Sequence, residues 1–123
     1  MMTPNNSPEA YIPLTPAVFH ILLALAGGER HGYSIMQEVE QLSEGRVAMG
    51  PGTLYGSIKR MLAAGLIVET GERPDPHLDD QRRRYYQLTS LGSGVLAAES
   101  RRLDRLVRAA KASRILPDPE DAA

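Results

Sequence analysis

The first long apolar run of the chain lies at 17–26, and the residues at its two ends predict a helix. Apolar residues fill almost all of 17–26, and no break in the pattern occurs within them. Thr15 followed by Pro16 is a typical helix start, and Gly27 is a typical stop. We therefore expect a first, largely buried helix of about three turns.

Two further amphipathic helices are predicted, over 32–43 and over 51–64. Apolar residues recur in both at the three- and four-residue spacing of one helix face. In the third helix this stripe comprises Leu54, Ile58, Met61 and Leu62. Pro51 suits the first turn of that helix, and Gly65 suits its end. The short connection between the two helices predicts a helix-turn-helix.

After Gly65 the pattern changes to two short segments, 66–70 and 84–88, that are rich in β-branched and aromatic residues. They predict an antiparallel hairpin. The intervening loop, about 71–83, is long for a hairpin and is a candidate functional element. Phosphate would repel its carboxylates, so whether the loop tip could enter a groove of a nucleic acid stays open. These carboxylates are Asp75, Asp79 and Asp80.

A last helix is predicted from the cap at Thr89 to Ile115, where it would reach about 40 Å. Its first turns are expected to pack on the first helix. The apolar stripe on the protruding part requires a partner helix, which predicts a dimer seam. The seam comprises Leu96, Leu103, Leu106, Val107 and Ala110.

The element order predicts a mostly α-helical fold with a small β-hairpin. Residues 13–88 are expected to form a winged helix-turn-helix domain, and residues 89–116 a C-terminal dimerisation helix. Residues 1–12 and 117–123 are polar and rich in Pro, and we expect both to be disordered.

The outer face of the third predicted helix carries chemistry that suits DNA. Glycines allow a close approach, basic side chains neutralise phosphate, and hydroxyls donate hydrogen bonds. The candidates are Gly52, Thr53, Tyr55, Gly56, Lys59 and Arg60. A plainer interpretation stays open, in which Gly56 is merely tolerated and the two basic residues form an ordinary solvated pair.

The net charge of −1, from 14 basic and 15 acidic residues, hides an asymmetry. Residues 82–114 contain nine basic and two acidic residues, a balance that suits a polyanion. Within this range, three arginines share the face of the last helix opposite the seam, and we expect that face to be solvated rather than bound to DNA. They are Arg101, Arg105 and Arg108.

Other functional classes find little support in the sequence. The chain has no Cys, which excludes a disulfide scaffold and a Cys-based zinc finger. His20, His31 and His77 lack the spacing of a metal site. No nucleophile elbow or phosphate-binding loop is present, so we expect no cofactor and no enzymatic activity. The apolar run at 17–26 is shorter than the about 20 residues of a membrane span, so we expect no membrane partner. The absence of Cys fits a reducing cytoplasm, which is the location we expect.

Four segments of the chain form a distinctive series. They are His31-Gly32-Tyr33-Ser34-Ile35, Gly52-Thr53-Leu54-Tyr55-Gly56-Ser57-Ile58-Lys59-Arg60, Gly65-Leu66-Ile67 and Arg84-Tyr85-Tyr86-Gln87-Leu88-Thr89. In order and spacing they resemble the PadR family of bacterial transcriptional regulators, over about residues 14–110. The resemblance implies a homodimeric repressor whose third helix reads operator DNA in the major groove and whose hairpin is the wing. The two-fold symmetry of such a dimer predicts a pseudo-palindromic operator. The resemblance also implies that Thr53, Tyr55 and Lys59 face DNA and that Arg84, with Arg83 beside it, lies at the wing.

Two questions stay open beside this resemblance. Some members of the family bind aromatic or cationic ligands between subunits, but this chain has no Trp and one Phe, so a small-molecule effector is left unassigned. The alternative function is a winged helix that makes only protein–protein contacts. Such a module is expected to carry acidic or apolar residues on its third helix, whereas Lys59, Arg60 and the arginines at 82–84 favour DNA.

Overall fold

The computed structural model of the chain describes residues 7–74 and 82–117, with only the backbone of Arg82. Within these residues it contains a short 3₁₀ helix, four α-helices and three strands. The helices are Pro8–Tyr11 (the 3₁₀ helix), Pro16–Ala26 (α1), Gly32–Leu42 (α2), Pro51–Ala63 (α3) and Ser90–Ala112 (α4). The strands are Arg30–His31 (β1), Ile67–Pro74 (β2) and Arg82–Leu88 (β3).

The predicted helix starts and stops are confirmed by local contacts. Thr15 Oγ1 accepts a hydrogen bond of 3.3 Å from the Val18 amide at the start of α1. Thr89 Oγ1 accepts one of 3.0 Å from the Gly92 amide at the start of α4. Gly65 follows α3 with a φ of 78°, which glycine adopts at little cost. This residue turns the chain from α3 towards β2.

The three strands form one antiparallel sheet in the order β1-β3-β2. β1 lies beside β3, with His31 opposite Tyr85. β2 pairs with β3 along its length, with a register shift between Glu69 and Gly71. Because β1 runs directly into α2, the sheet joins the wing to the helix-turn-helix.

This sheet differs from the predicted two-stranded hairpin. The prediction omits β1, because two residues before a helix carry no strand pattern. The predicted loop at 71–83 is wrong over 71–74 and 82–83, which continue β2 and β3. The rest of that loop, with its three aspartates, lies outside the described residues.

Buried apolar side chains from all four α-helices and from β2 and β3 form one core. Fully buried members include Ile21, Leu22, Ile35, Val39, Leu54, Met61 and Val95. Burying one such side chain contributes roughly 1.5–3 kcal/mol to folding. The core thereby fixes one face of α3 and leaves the opposite face to solvent.

The C-terminal helix has a buried half and an exposed half. Its buried residues all lie in its first ten positions, 90–99. Beyond them, Leu106 and Val107 are exposed. The predicted end at Ile115 is wrong, since the helix ends at Ala112 and Arg114 adopts a positive φ of 62°.

The N-terminal segment packs against α4. Pro8 contacts Gly94, where an added Cβ would lie 3.0 Å from the Pro8 Cγ. The prediction of disorder over residues 1–12 is therefore wrong for Pro8–Tyr11, whose 3₁₀ helix covers the start of α4. Residues 1–6 and 118–123 lie outside the described residues.

Candidate nucleic-acid interface

The outward face of α3 is exposed and basic. Gly52, Thr53 and Lys59 are exposed, and Gly56 is half-buried. Beyond the neighbouring residues and the backbone of α3 itself, no described atom lies within 4 Å of the place where a Gly52 Cβ would be, so another backbone can approach there. The helix contains Lys59 and Arg60 but no acidic residue. This face can therefore meet a polyanion without carboxylates of its own to repel it.

The first turn of α3 also leaves backbone amides open. Gly50 is the N-cap residue and offers them no side-chain acceptor. Pro51 has no amide hydrogen, so the donors at this end are the amides of Gly52 and Thr53. Amides at a helix N-terminus bind phosphate well, because the helix dipole adds a partial positive charge.

Arg60 lies at the flank of this face, towards the start of α1. Its Nη2 donates to Ser57 Oγ at 3.3 Å, and Ser57 itself is buried. The side chain borders an apolar groove of about 250 Å³ whose walls include Val18 and Met61. Arg60 is exposed, so it can reach phosphate from the side of α3 rather than from the centre of its outward face.

Tyr55 lies at the other flank of α3 and is 45% exposed. The end of its phenol ring rests on Gly32, the first residue of α2. The sequence pattern predicts the Tyr55 hydroxyl as a donor to DNA, whereas in the structure this hydroxyl is turned towards α2.

Strand alternation separates Arg83 from Arg84 on β3. Arg84 shares a face with Tyr86 and is exposed, with its Nε 3.7 Å from a carboxylate oxygen of Glu72. Arg83 lies on the opposite face and is half-buried, with its guanidinium 5.5 Å from the ring centroid of Tyr33. Arg84 is therefore more accessible than Arg83.

A polar cluster fixes the base of the wing to the turn before β1. Glu29 accepts hydrogen bonds from Thr70 and Arg73 of β2. The hydrogen bond from Thr70, more than the charge of Arg73, lowers the pKa of the Glu29 carboxyl below its ordinary value. Arg73 also stacks on Tyr85, 3.8 Å from the ring centroid. No sequence pattern indicates this cluster, because Glu29 and Arg73 are 44 residues apart.

The start of α2 is held by His31 and Arg30. His31 Nδ1 accepts a hydrogen bond of 3.1 Å from the Ser34 amide and so caps α2. Arg30 donates to the Ala24 carbonyl at 2.9 Å and pairs with Glu38 at 2.6 Å. These contacts join α1, β1 and α2 behind the candidate interface.

The predicted dimer residues divide between core and surface. Leu96 is 8% exposed and packs within the core of its own chain, so its assignment to a dimer seam is corrected. Leu106 and Val107 are 55% and 41% exposed, and Leu103 and Ala110 are partly exposed. These four residues share one face of the exposed half of α4.

Each of the two histidines in the described residues makes a polar contact with the backbone at the start of a helix. His20 Nδ1 lies 2.7 Å from the Pro16 carbonyl of α1, His31 caps α2, and His77 lies outside the described residues. Within 7–74 and 82–117, no three His, Cys, Asp or Glu side chains come together as a metal site would require. None of the helices in these two ranges has the length and apolar character of a membrane span.

Known proteins resemble this chain over most of its length. The family model described as Transcriptional regulator PadR-like family matches residues 21–98. Transcriptional regulator Rv3488 of Mycobacterium tuberculosis is 36% identical over 89 residues, which cover 72% of this chain and 77% of that protein. An uncharacterized 37.1 kDa protein in transposon TN4556 of Streptomyces fradiae is 37% identical over 86 residues. This second match covers 70% of the chain but only 22% of the relative.

Among solved structures, Bacillus subtilis PadR in complex with operator DNA shares the fold, with a TM-score of 0.56 and 21% identity. The match covers 66% of this chain and 44% of that one. The predicted fold class is thereby confirmed: a mostly α-helical winged helix-turn-helix with a small sheet and a long C-terminal helix.

Proposed function

Because this chain belongs to the PadR-like family of transcriptional regulators, we propose that it represses transcription by binding operator DNA as a homodimer. In this proposal α3 enters the major groove and β3 follows the adjacent backbone. Two subunits related by a two-fold axis contact the two halves of a pseudo-palindromic operator. The protein acts where the DNA is, in the cytoplasm, and needs neither a cofactor nor a catalytic step.

The exposed, acid-free face of α3 is the observation that carries this proposal. Gly52 and Gly56 let the helix approach the bases closely, and Thr53 supplies a hydroxyl to the groove. Lys59 neutralises phosphate from this face, and the ring of Tyr55 contacts the backbone at its edge.

The arginines contribute phosphate contacts around the outward face of α3. Arg60 reaches the backbone from the flank of α3, and the exposed Arg84 reaches it from the wing. Arg83 has a smaller share, because its guanidinium lies near Tyr33. Contacts of this kind set the position of the protein on the duplex, while the groove contacts set its sequence preference.

Homodimerisation is supported by the exposed half of α4. Leu103, Leu106, Val107 and Ala110 form an apolar face that the chain's own core does not cover. In a two-fold dimer the same four residues of a second copy would pack against this face, because a two-fold interface uses the same surface on both subunits. A module limited to protein–protein contacts is less well supported, because it would not need the basic, acid-free face of α3.

Selection of bound fragments from random duplexes tests the proposal directly. The enriched duplex is then titrated at several salt concentrations. If each subunit neutralises three phosphates, log K against log[salt] has a slope of about −5 for the dimer. A slope near zero, or a failure to enrich any duplex, contradicts the proposal and favours the protein-contact module.

A further inference from the structure

Gly32 and Tyr55 form a contact that requires a residue without a side chain at position 32. Gly32 is the buried first residue of α2. A Cβ at this position would lie 2.8 Å from Tyr55 Cζ and 3.0 Å from Cε1, and closer still to the hydroxyl oxygen. Carbon atoms in contact normally stay about 3.5–4.0 Å apart, so the phenol occupies the space that any side chain at residue 32 would need.

The Tyr55 ring thereby joins three elements. It projects from α3, it rests on the junction of β1 and α2, and it approaches Tyr86 of β3. Burial raises the pKa of the Tyr86 hydroxyl, and Glu69 and the Tyr55 hydroxyl raise it further, in keeping with the nearness of the two phenols. Tyr86 is also the partner of Arg30 across the sheet, so the wing strand is tied to the same junction.

We infer that Gly32 is a positioning residue of the DNA-binding surface. Its missing side chain admits the Tyr55 phenol, and the phenol fixes α3 against the start of α2. This inference rests on the proposed function, because the pose of α3 matters only if α3 contacts DNA. A binding constellation has to be held within about 0.5 Å of its productive geometry, so a small shift of α3 or of Tyr55 is enough to weaken binding.

Gly32→Ala separates positioning from folding. The atoms that an added methyl would meet lie at the far end of a half-exposed side chain, so Tyr55 can swing outward without disturbing the core. Alanine also favours helix over glycine by about 0.8–1.0 kcal/mol within a helix, and part of that gain applies at the first helical position. The variant is therefore expected to fold normally with a displaced Tyr55.

The experiment compares Gly32→Ala with Gly27→Ala in the full chain. Gly27 is the matched control, since a Cβ there would lie 3.9 Å from Arg30 Nη2, an ordinary contact distance. On the duplex enriched by selection, we expect Gly32→Ala to bind about tenfold more weakly than wild type, a loss of the size that coupling between contacting residues produces. Its melting temperature should be unchanged. Gly27→Ala keeps the wild-type affinity. In a Tyr55→Ala background, Gly32→Ala has no further effect, because the clashing ring is gone.

Two results would overturn the inference. One is wild-type affinity in Gly32→Ala, and the other is an additive loss in the double variant. Fluorine NMR of the chain labelled with 3-fluorotyrosine keeps the test independent of DNA. It reports the five tyrosines, and the Tyr55 signal is assigned with Tyr55→Phe. A shifted Tyr55 signal in Gly32→Ala supports the contact between the two residues, and an unshifted signal refutes it. If the wild-type chain binds no duplex, the proposed function fails, but the Tyr55 signal still tests the contact.

Discussion

Glu99, in the buried half of α4, accepts a hydrogen bond of 2.7 Å from the backbone amide of Leu14, 85 residues earlier in the chain. The same carboxylate accepts hydrogen bonds of 2.5 and 3.1 Å from Arg102 and is only 1% exposed. This contact fastens the segment before α1 to the helix that carries the proposed dimer seam. The carboxylate therefore links the DNA-binding domain to the element that would orient it within a dimer.

Removal of this carboxylate is expected to destabilise the fold. Glu99→Ala leaves the Leu14 amide and the Arg102 guanidinium without their acceptor, which lowers the free energy of unfolding by about 2–3 kcal/mol. Urea denaturation measures this loss. Glu40→Gln, on the exposed face of α2, is the control and should leave the stability unchanged. Equal stability of Glu99→Ala and wild type would show that the contact does not hold in solution.

The same group gives the stability a pH dependence. The hydrogen bond from Arg102 is the main cause that keeps the pKa of the Glu99 carboxyl below its ordinary value of 4.5. Because the folded state lowers this pKa, the stabilisation is present above about pH 4.5 and is lost as the pH falls through the folded-state pKa. We expect the free energy of unfolding to fall more steeply with acid in wild type than in Glu99→Gln. Parallel curves would contradict this assignment.

The chain contains two lysines, Lys59 on α3 and Lys111 near the end of α4, and they form a matched pair. Lys59→Ala is expected to weaken binding to all duplexes alike and to flatten the salt slope by about 2 for a dimer, since each copy loses one phosphate contact. Lys111→Ala removes the same charge away from α3 and should change neither quantity. A comparable effect of both variants would mean that overall charge, rather than the α3 face, governs binding.

Helix positions could be predicted because their ends depend on neighbouring residues. Thr15 with Pro16, and Gly65 after α3, act within one turn, so their effect is visible in the sequence. The strand at Arg30–His31 forms only because β3 lies beside it, and β3 comes much later in the chain. The 3₁₀ helix likewise depends on its contact with α4, so composition alone suggested disorder there.

The candidate site could be predicted only as far as helical spacing reaches. The outward position of Lys59 follows from the 100° step of a helix. The position of the Tyr55 phenol depends instead on Gly32, in a different helix. Glu99 did carry a usable signal, because it lies at helical spacing between Leu96 and Leu103 on the apolar face. A carboxylate in such a place predicts a buried partner, although not which one.

Dimerisation is expected to fail when a charge enters the proposed seam. Leu106→Glu should give monomers in sedimentation velocity and lose high-affinity DNA binding, because an unpaired carboxylate cannot be buried cheaply. Each monomer should still unfold cooperatively on heating, since Leu106 is 55% exposed in the single chain and is not part of its core. Ala97→Glu introduces the same charge at an exposed position of the buried half and should leave the dimer intact. A Leu106→Glu chain that stays dimeric places the seam elsewhere.

The operator is expected to contain two half-sites about one helical turn apart, roughly 34 Å or 10–10.5 base pairs from centre to centre. A two-fold dimer presents two identical α3 surfaces, and its axis passes through the DNA between them. Insertion of about five base pairs at the centre rotates one half-site by about half a turn, to the opposite side of the duplex. A rigid dimer cannot follow this rotation, so footprinting should show only weak occupancy of a single half-site. The control is an operator whose central bases are replaced without a change in length, and the protein should bind it with nearly the original affinity. Equal affinity for the original and the lengthened operator would mean that the dimer does not read two fixed half-sites.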